Sequence, residues 1–269
     1  MPGPVTVGAG IMQFIDVLRH GALAAGMAGL LLAGPAGAQQ DQAGRQASNG
    51  APSGVAGIPA PHLRTELIFY KLGVAQGRDG HAGLDWDGEF SVGNDTNQLR
   101  LTSEGQRIDG VSDAKAQLLF RRAVTPSWGM QLGARRDFGT GPKRDWAAFG
   151  VQGTAPYEID TEFTAYLGGA GRTALTLKAE RDLPLAPRLL FTPDIEVNLY
   201  GKDDAARGIG HGLADASLTL RLRYEVTDQF APYVGVSFGR AFGQTARDAS
   251  AAGDSRSERV LLAGLRLRF

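Results

Sequence analysis

Apolar and polar residues take turns along the last twelve positions of the chain, ERVLLAGLRLRF (258–269). Leu261, Ala263, Leu265, Leu267 and Phe269 share one phase, and Leu262, Gly264, Arg266 and Arg268 the other. A period of two belongs to a β-strand and not to one face of a helix. The same pattern recurs in GLDWDGEFSV (83–92), YEIDTEFTAYL (157–167) and LTLRLRYEV (218–226). It predicts about twelve strands, near 65–76, 82–92, 97–104, 113–123, 128–138, 145–153, 157–167, 172–182, 188–200, 215–226, 230–242 and 258–269. Most are as long as a tilted strand must be to cross a bilayer, about 9 to 11 residues.

A soluble sandwich also has one apolar and one charged face per strand, so alternation does not settle what covers the apolar side. The connections separate the two cases. Even-numbered strands are followed by tight links, GNDT (93–96), TPS (125–127), TAP (154–156), LAP (185–187) and TDQ (227–229). Odd-numbered strands are followed by generally longer loops, among them GKDDAARGIGHGLAD (201–215) and GQTARDASAAGDSRS (243–257). Short and long connections at opposite ends describe an up-and-down meander. The fold class expected is therefore all-β: an antiparallel up-and-down transmembrane β-barrel of about twelve strands, apolar side to lipid and polar side to the lumen. Its final strand must close on its first. Tyr70, Trp86, Trp128, Trp146, Tyr157, Tyr200 and Tyr233 fall near strand ends, where they are expected to form interfacial girdles or to pack in the core.

The segment before the strands adds an address. Arg19 and His20 precede GALAAGMAGLLLAG (21–34), an apolar run too short to span a bilayer, with small residues Ala36 and Ala38 after it. Residues 1–38 read as an export signal, 39–62 as a disordered periplasmic segment rich in Gln, Ala, Gly, Ser and Pro, and 63–269 as an outer-membrane barrel. The 28 basic and 28 acidic residues cancel, so no overall basic excess argues for nucleic acid. With no cysteine, disulfides and thiolate metal sites are excluded.

At greater length the residues resemble a known family. The stretch from Phe149 to Val236, with EVNLYG (196–201), ARGIG (206–210), LRLRYE (220–225) and FAPYVGV (230–236) in series, is similar to the bacterial copper resistance protein B family, as are WDGEF (86–90) and GARRDF (133–138). The similarity covers about Leu67 to Phe269. It implies an outer-membrane barrel for copper tolerance that binds copper or assists its export or sequestration, in lipid and with periplasmic copper-handling proteins. Members often carry a Met- and His-rich segment ahead of the barrel, suited to copper because thioether sulfur prefers Cu(I). Here 39–62 contains no methionine and one histidine, His62.

Few residues could ligate metal. His62, His81 and His211 are the histidines after the signal, and Asp203 and Asp204 lie close upstream of His211; these five are the metal-ligand candidates, set against ordinary solvated loop residues. Met130 shares the apolar phase with Trp128 and Leu132, which points it to lipid. Inward positions carry both signs, including Glu104, Glu180, Asp194, Glu196 and Glu225 with Arg100, Lys115, Arg121, Arg135, Lys178, Arg221, Arg223, Arg266 and Arg268. Pairing across neighbouring strands would zip such a lumen. The functional alternative is a cation path along Asp85, Asp87 and Glu89, with Asp160 and Glu162. No histidine falls inside an expected strand, so a Ser–His barrel hydrolase is disfavoured, and GIGHG (208–212) lacks the strand-to-helix setting of a nucleotide loop. A non-enzymatic copper resistance protein is the expectation. The alternative is a passive pore or structural barrel with no metal role.

Overall fold

A computed structural model describes residues 63–77, 80–108, 111–139 and 141–269. The expected signal and the 39–62 segment, His62 included, lie outside these residues. The strands are β1 (Arg64–Gln76), β2 (Ala82–Gly93), β3 (Asn97–Ile108), β4 (Val111–Ala123), β5 (Trp128–Phe138), β6 (Arg144–Ala155), β7 (Ile159–Gly168), β8 (Arg172–Glu180), β9 (Leu183–Ala186), β10 (Leu189–Tyr200), β11 (Gly212–Tyr224), β12 (Phe230–Ala241) and β13 (Ser257–Arg268). Each pairs antiparallel with its neighbour in sequence, except that β8 and the four-residue β9 both pair with β10. Those two form one stave interrupted at Arg181 and Asp182, so the wall has twelve staves.

The wall closes where β13 meets β1. Phe269 and Leu67 exchange both backbone hydrogen bonds, at 2.8 and 3.0 Å, which leaves neither terminal strand with an open edge. Closure lets every staved backbone group be satisfied inside the sheet, the condition for lying in hydrocarbon. The outward side chains fit that solvent. Leu132, Phe149, Leu167 and Val234 are 60, 52, 65 and 57% exposed, and Leu118, Phe120, Met130, Phe163, Ile195 and Phe238 share the same outward phase. An apolar belt around a whole molecule is far larger than a soluble monomer tolerates. The opposite phase holds the buried polar residues, among them Gln117, Gln131, Thr164, Thr176, Thr192 and Arg221.

Four details depart from the expectations drawn from alternation. In β1 the register shifts between Phe69 and Lys71, and this bulge sends Tyr70 and Lys71 inward in succession. The seventh strand starts at Ile159, because Tyr157 and Glu158 adopt left-handed backbone (φ 67° and 58°) and belong to the turn. The segment expected as a loop after β12 contains a helix, α1 (Gly243–Ala251), whose Ala246 is buried. Of the expected girdle residues, Trp146 and Tyr233 are buried and Tyr70 and Tyr200 sit among inward groups, leaving Trp86, Trp128 and Tyr157 on the rim or outer face. Trp146 is in the inward phase of β6 with Ala148, a position that proximity to a strand end does not reveal.

The two ends of the barrel differ less in connection length than expected. At the turn end, where β1 begins and β13 stops, links such as 94–96 and 156–158 are short. At the loop end only the connections over 201–211 and 242–256 are long, since β3, β4, β7 and β8 extend until they nearly meet.

Candidate functional site

The lumen is the site, and its side chains arrive there by strand phase alone. At mid-height Glu104 of β3, Lys115 of β4, Lys178 of β8 and Glu196 of β10 form a closed ring of alternating charge. The Lys178 ammonium lies 2.8 Å from Glu104 and 3.2 Å from Glu196. The Lys115 ammonium lies 3.3 Å from Glu196 and also bonds Glu104. Glu104 and Lys115 face each other in the β3–β4 register, and Lys178 and Glu196 in the β8–β10 register. Two neighbour pairs of the expected kind are therefore joined to each other across the barrel. Ionised groups removed from water cost several kcal/mol each unless partnered, and here each charge has two partners of opposite sign.

Around the ring several other inward charges are also committed. Arg100 bonds Glu89 diagonally across the β2–β3 pair, where it lies opposite Ser91, and reaches Gln152 of β6. Gln131 donates to Glu162 at 3.1 Å and to Thr164 at 2.9 Å. Arg221 bonds Glu180 at 2.7 Å, and Arg223 bonds Asp182 at 2.7 Å. Towards the loop end Arg135 holds Asp137 at 2.5 Å, and Trp146 Nε1 donates to the other Asp137 oxygen at 2.8 Å. Tyr166 packs edge-on to Trp146 at 6.5 Å, carries the Arg135 guanidinium 4.7 Å over its ring and donates to Gln117 at 3.1 Å.

The long connection over 201–211 folds across the loop-end mouth. Arg144 grips Asp204 through two hydrogen bonds of 2.6 and 2.8 Å, and Arg172 lies 3.3 Å from the same carboxylate. Arg207 donates to the carbonyls of Pro142 and Phe138. The backbone comes so near that a Cβ on Gly141, whose φ is +86°, would sit 2.3 Å from the Ala206 carbonyl oxygen. Helix α1 holds the far side of the connection, with Thr245 Oγ1 accepting from the Gly210 N–H at 2.9 Å.

These contacts sort the candidate residues. Asp203 accepts from the His211 backbone N–H at 2.6 Å and meets its ring Nδ1 at 2.8 Å, and these hydrogen bonds, the backbone one first, hold its carboxyl below the usual range. Asp204 turns away to the arginine clamp, and the Arg144 hydrogen bonds hold it low as well. His81 stands exposed in the β1–β2 connection. Among the described candidates the structure thus brings His211 together with Asp203.

The acidic ladder is also broken up. Glu89 belongs to Arg100, Asp87 faces Lys71 at 3.9 Å, and Glu162 is held by Gln131 and Thr164. Asp160 accepts from Thr154 at the exposed turn-end rim. Asp85 keeps one buried carboxylate oxygen without a hydrogen-bond partner. Lys71 escaped the alternation argument because the bulge precedes it, and the cross-lumen partnership of Glu104 with Lys178 joins residues 74 apart in the chain.

The donor chemistry of the described barrel does not fit a resident copper centre. Among the described residues no three of His, Cys, Asp and Glu converge as a metal-ligating group. Met130 points outward from β5, 43% exposed.

Comparison with known proteins places this architecture. The family model described as copper resistance protein B precursor matches residues 64–269. A copper resistance protein B homolog of Pseudomonas syringae pv. tomato (strain ATCC BAA-871 / DC3000) is 44% identical over 208 residues, which are 77% of this chain and 70% of that one. Copper resistance protein B of Escherichia coli is 42% identical over 195 residues, 72% of this chain and 66% of that one, so the chain spans about two thirds of these relatives. Among solved structures the NanC porin is similar with a TM-score of 0.51 at 11% identity, covering 76% of this chain and 99% of the porin, a likeness of fold alone. The chain belongs to the copper resistance protein B family.

Proposed function

We propose that this protein is an outer-membrane barrel that supports copper resistance without enzymatic chemistry, handling copper as cargo. Family membership over residues 64–269 carries the reading, because the match covers the barrel itself. The outward apolar belt supports a lipid surround, and the porin-like closed wall supports the outer membrane as its place. Periplasmic copper-handling proteins would meet the turn end, where the chain enters the wall at Arg64. The absence of a three-donor cluster among the described residues favours assistance to export over storage in the barrel.

The test is survival on copper of a deletion strain complemented with the intact chain or with a version lacking residues 39–62. Equal rescue by both places the function in the barrel. Rescue only by the intact chain moves it to the segment outside the described residues. A deletion that leaves copper survival unchanged sinks the reading in favour of a barrel with no metal role.

A further inference from the structure

We infer that the Glu104–Lys115–Lys178–Glu196 ring is a gate that shuts the lumen to hydrated ions at mid-height. In the circuit of staves β3 and β10 stand on opposite walls, separated by β4, β5, β6, β7 and β8 on one side. Lys178 on β8 bonds Glu104 on β3, and Lys115 on β4 bonds Glu196 on β10, so two bridges span the bore. About eight staves enclose a space that side chains fill, and about sixteen leave a water channel. Twelve lie between, so whether such a barrel conducts depends on side chains that reach across. Here those side chains are long and charged, their carboxylates and ammoniums neutralise one another, and each is mostly buried at 15 to 30% side-chain exposure.

The neighbourhood keeps the ring from relaxing to one wall. Asn198 donates to Glu196 at 3.1 Å and to Asp215 at 2.9 Å, which pins Glu196 from its own strand. Above it Trp146, Tyr166 and Tyr200 pack from β6, β7 and β10. A solvated ion passing this level must separate at least one ammonium from its two carboxylates. A plain dielectric opening would present no such barrier, so the ring distinguishes a gated barrel from a passive pore. The inference concerns the lumen and holds whether or not copper is the cargo.

The experiment is single-channel recording of the full chain in planar bilayers at about 0.15 M KCl, where the Debye length is about 8 Å. The intact protein should conduct at least about tenfold less than the variant Glu104→Ala/Lys115→Ala/Lys178→Ala/Glu196→Ala, which removes the bridging side chains and keeps net charge. Lys115→Arg/Lys178→Arg, which retains bulk and sign, should stay shut. Heat-modifiable gel migration and strand circular dichroism report folding, and Glu104→Ala/Lys178→Ala, which removes one bridge, carries the same comparison if the fourfold variant does not fold. Intact protein conducting as well as a folded ring-less variant overturns the inference, as does a folded ring-less variant that is equally silent.

Discussion

Arg144 and Asp204 meet through two hydrogen bonds, of 2.6 and 2.8 Å, although 60 residues separate them, and the contact fastens the 201–211 connection over the barrel mouth. Asp204 is buried, and Arg172 adds a second cation to it. Breaking a buried pair by removing one charge costs about 3 to 5 kcal/mol. Asp204→Asn should therefore lower the local opening free energy of the connection by about 3 kcal/mol, read as faster hydrogen exchange at 205–210 with strand amides unchanged. Unchanged exchange there would show that Arg207 and helix α1 hold the connection without the clamp.

The same clamp has a pH signature. Arg144 depresses the Asp204 carboxyl, so the folded loop prefers the ionised form more than the free chain does. That contribution is complete above the ordinary aspartate value of about 3.9 and is lost as pH falls through the depressed one. Limited proteolysis of 201–211 should be equally slow at neutral and mildly acidic pH and accelerate only below the ordinary value. Acceleration beginning well above the ordinary aspartate value would show that the loop's hold does not rest on the Asp204 clamp.

The outward belt predicts an asymmetry between faces. Leu132→Arg places a charge towards lipid at the middle of β5 and should cost about 2 to 4 kcal/mol in urea unfolding from liposomes. The same substitution at Leu185, in β9 near the turn end, should cost about 0 to 1 kcal/mol. Equal costs at both positions would mean that hydrocarbon does not surround the belt.

Tryptophan reports the faces directly. In single-tryptophan variants, brominated lipid should quench Trp86 and Trp128 strongly and Trp146 weakly, because Trp146 donates to Asp137 inside the barrel. Strong quenching of Trp146 would turn β6 inside out.

Strand identity was legible because burial on one face writes a period of two into every stave, as Leu218, Leu220 and Leu222 do against Thr219, Arg221 and Arg223. Many inward charges are named on that basis, whereas Asp137, Asp182 and Asp215 are not among those expected. What alternation does not encode is distance across the bore, so the partnership of Lys178 with Glu104 was invisible where that of Lys115 with Glu104 was not. Aromatic residues misled for a related reason: Trp146 is apolar enough for lipid, yet its indole N–H finds Asp137 and its face finds Tyr166. His211 and Asp203 share one loop, which allows their meeting without a spacing that fixes it, whereas the departure of Asp204 depends on Arg144 and Arg172 arriving from other strands. Helix α1 has no side-chain N-cap and its stability comes from docking, with Ala246 buried and Thr245 bonded to Gly210.

The bulge at Tyr70 acts as a phase inverter. Up to Tyr70 the even-numbered residues of β1 look into the bore, and from Lys71 onward the odd-numbered ones do. Excising Tyr70 would leave a continuous ladder in which Glu66 and Ile68 still face the bore and Leu67 and Phe69 still face out, now in plain alternation with Lys71 and Leu72. One inserted residue thus lets two consecutive side chains, Tyr70 and Lys71, sit on the wet side of the closing seam, a placement that uninterrupted pleating forbids.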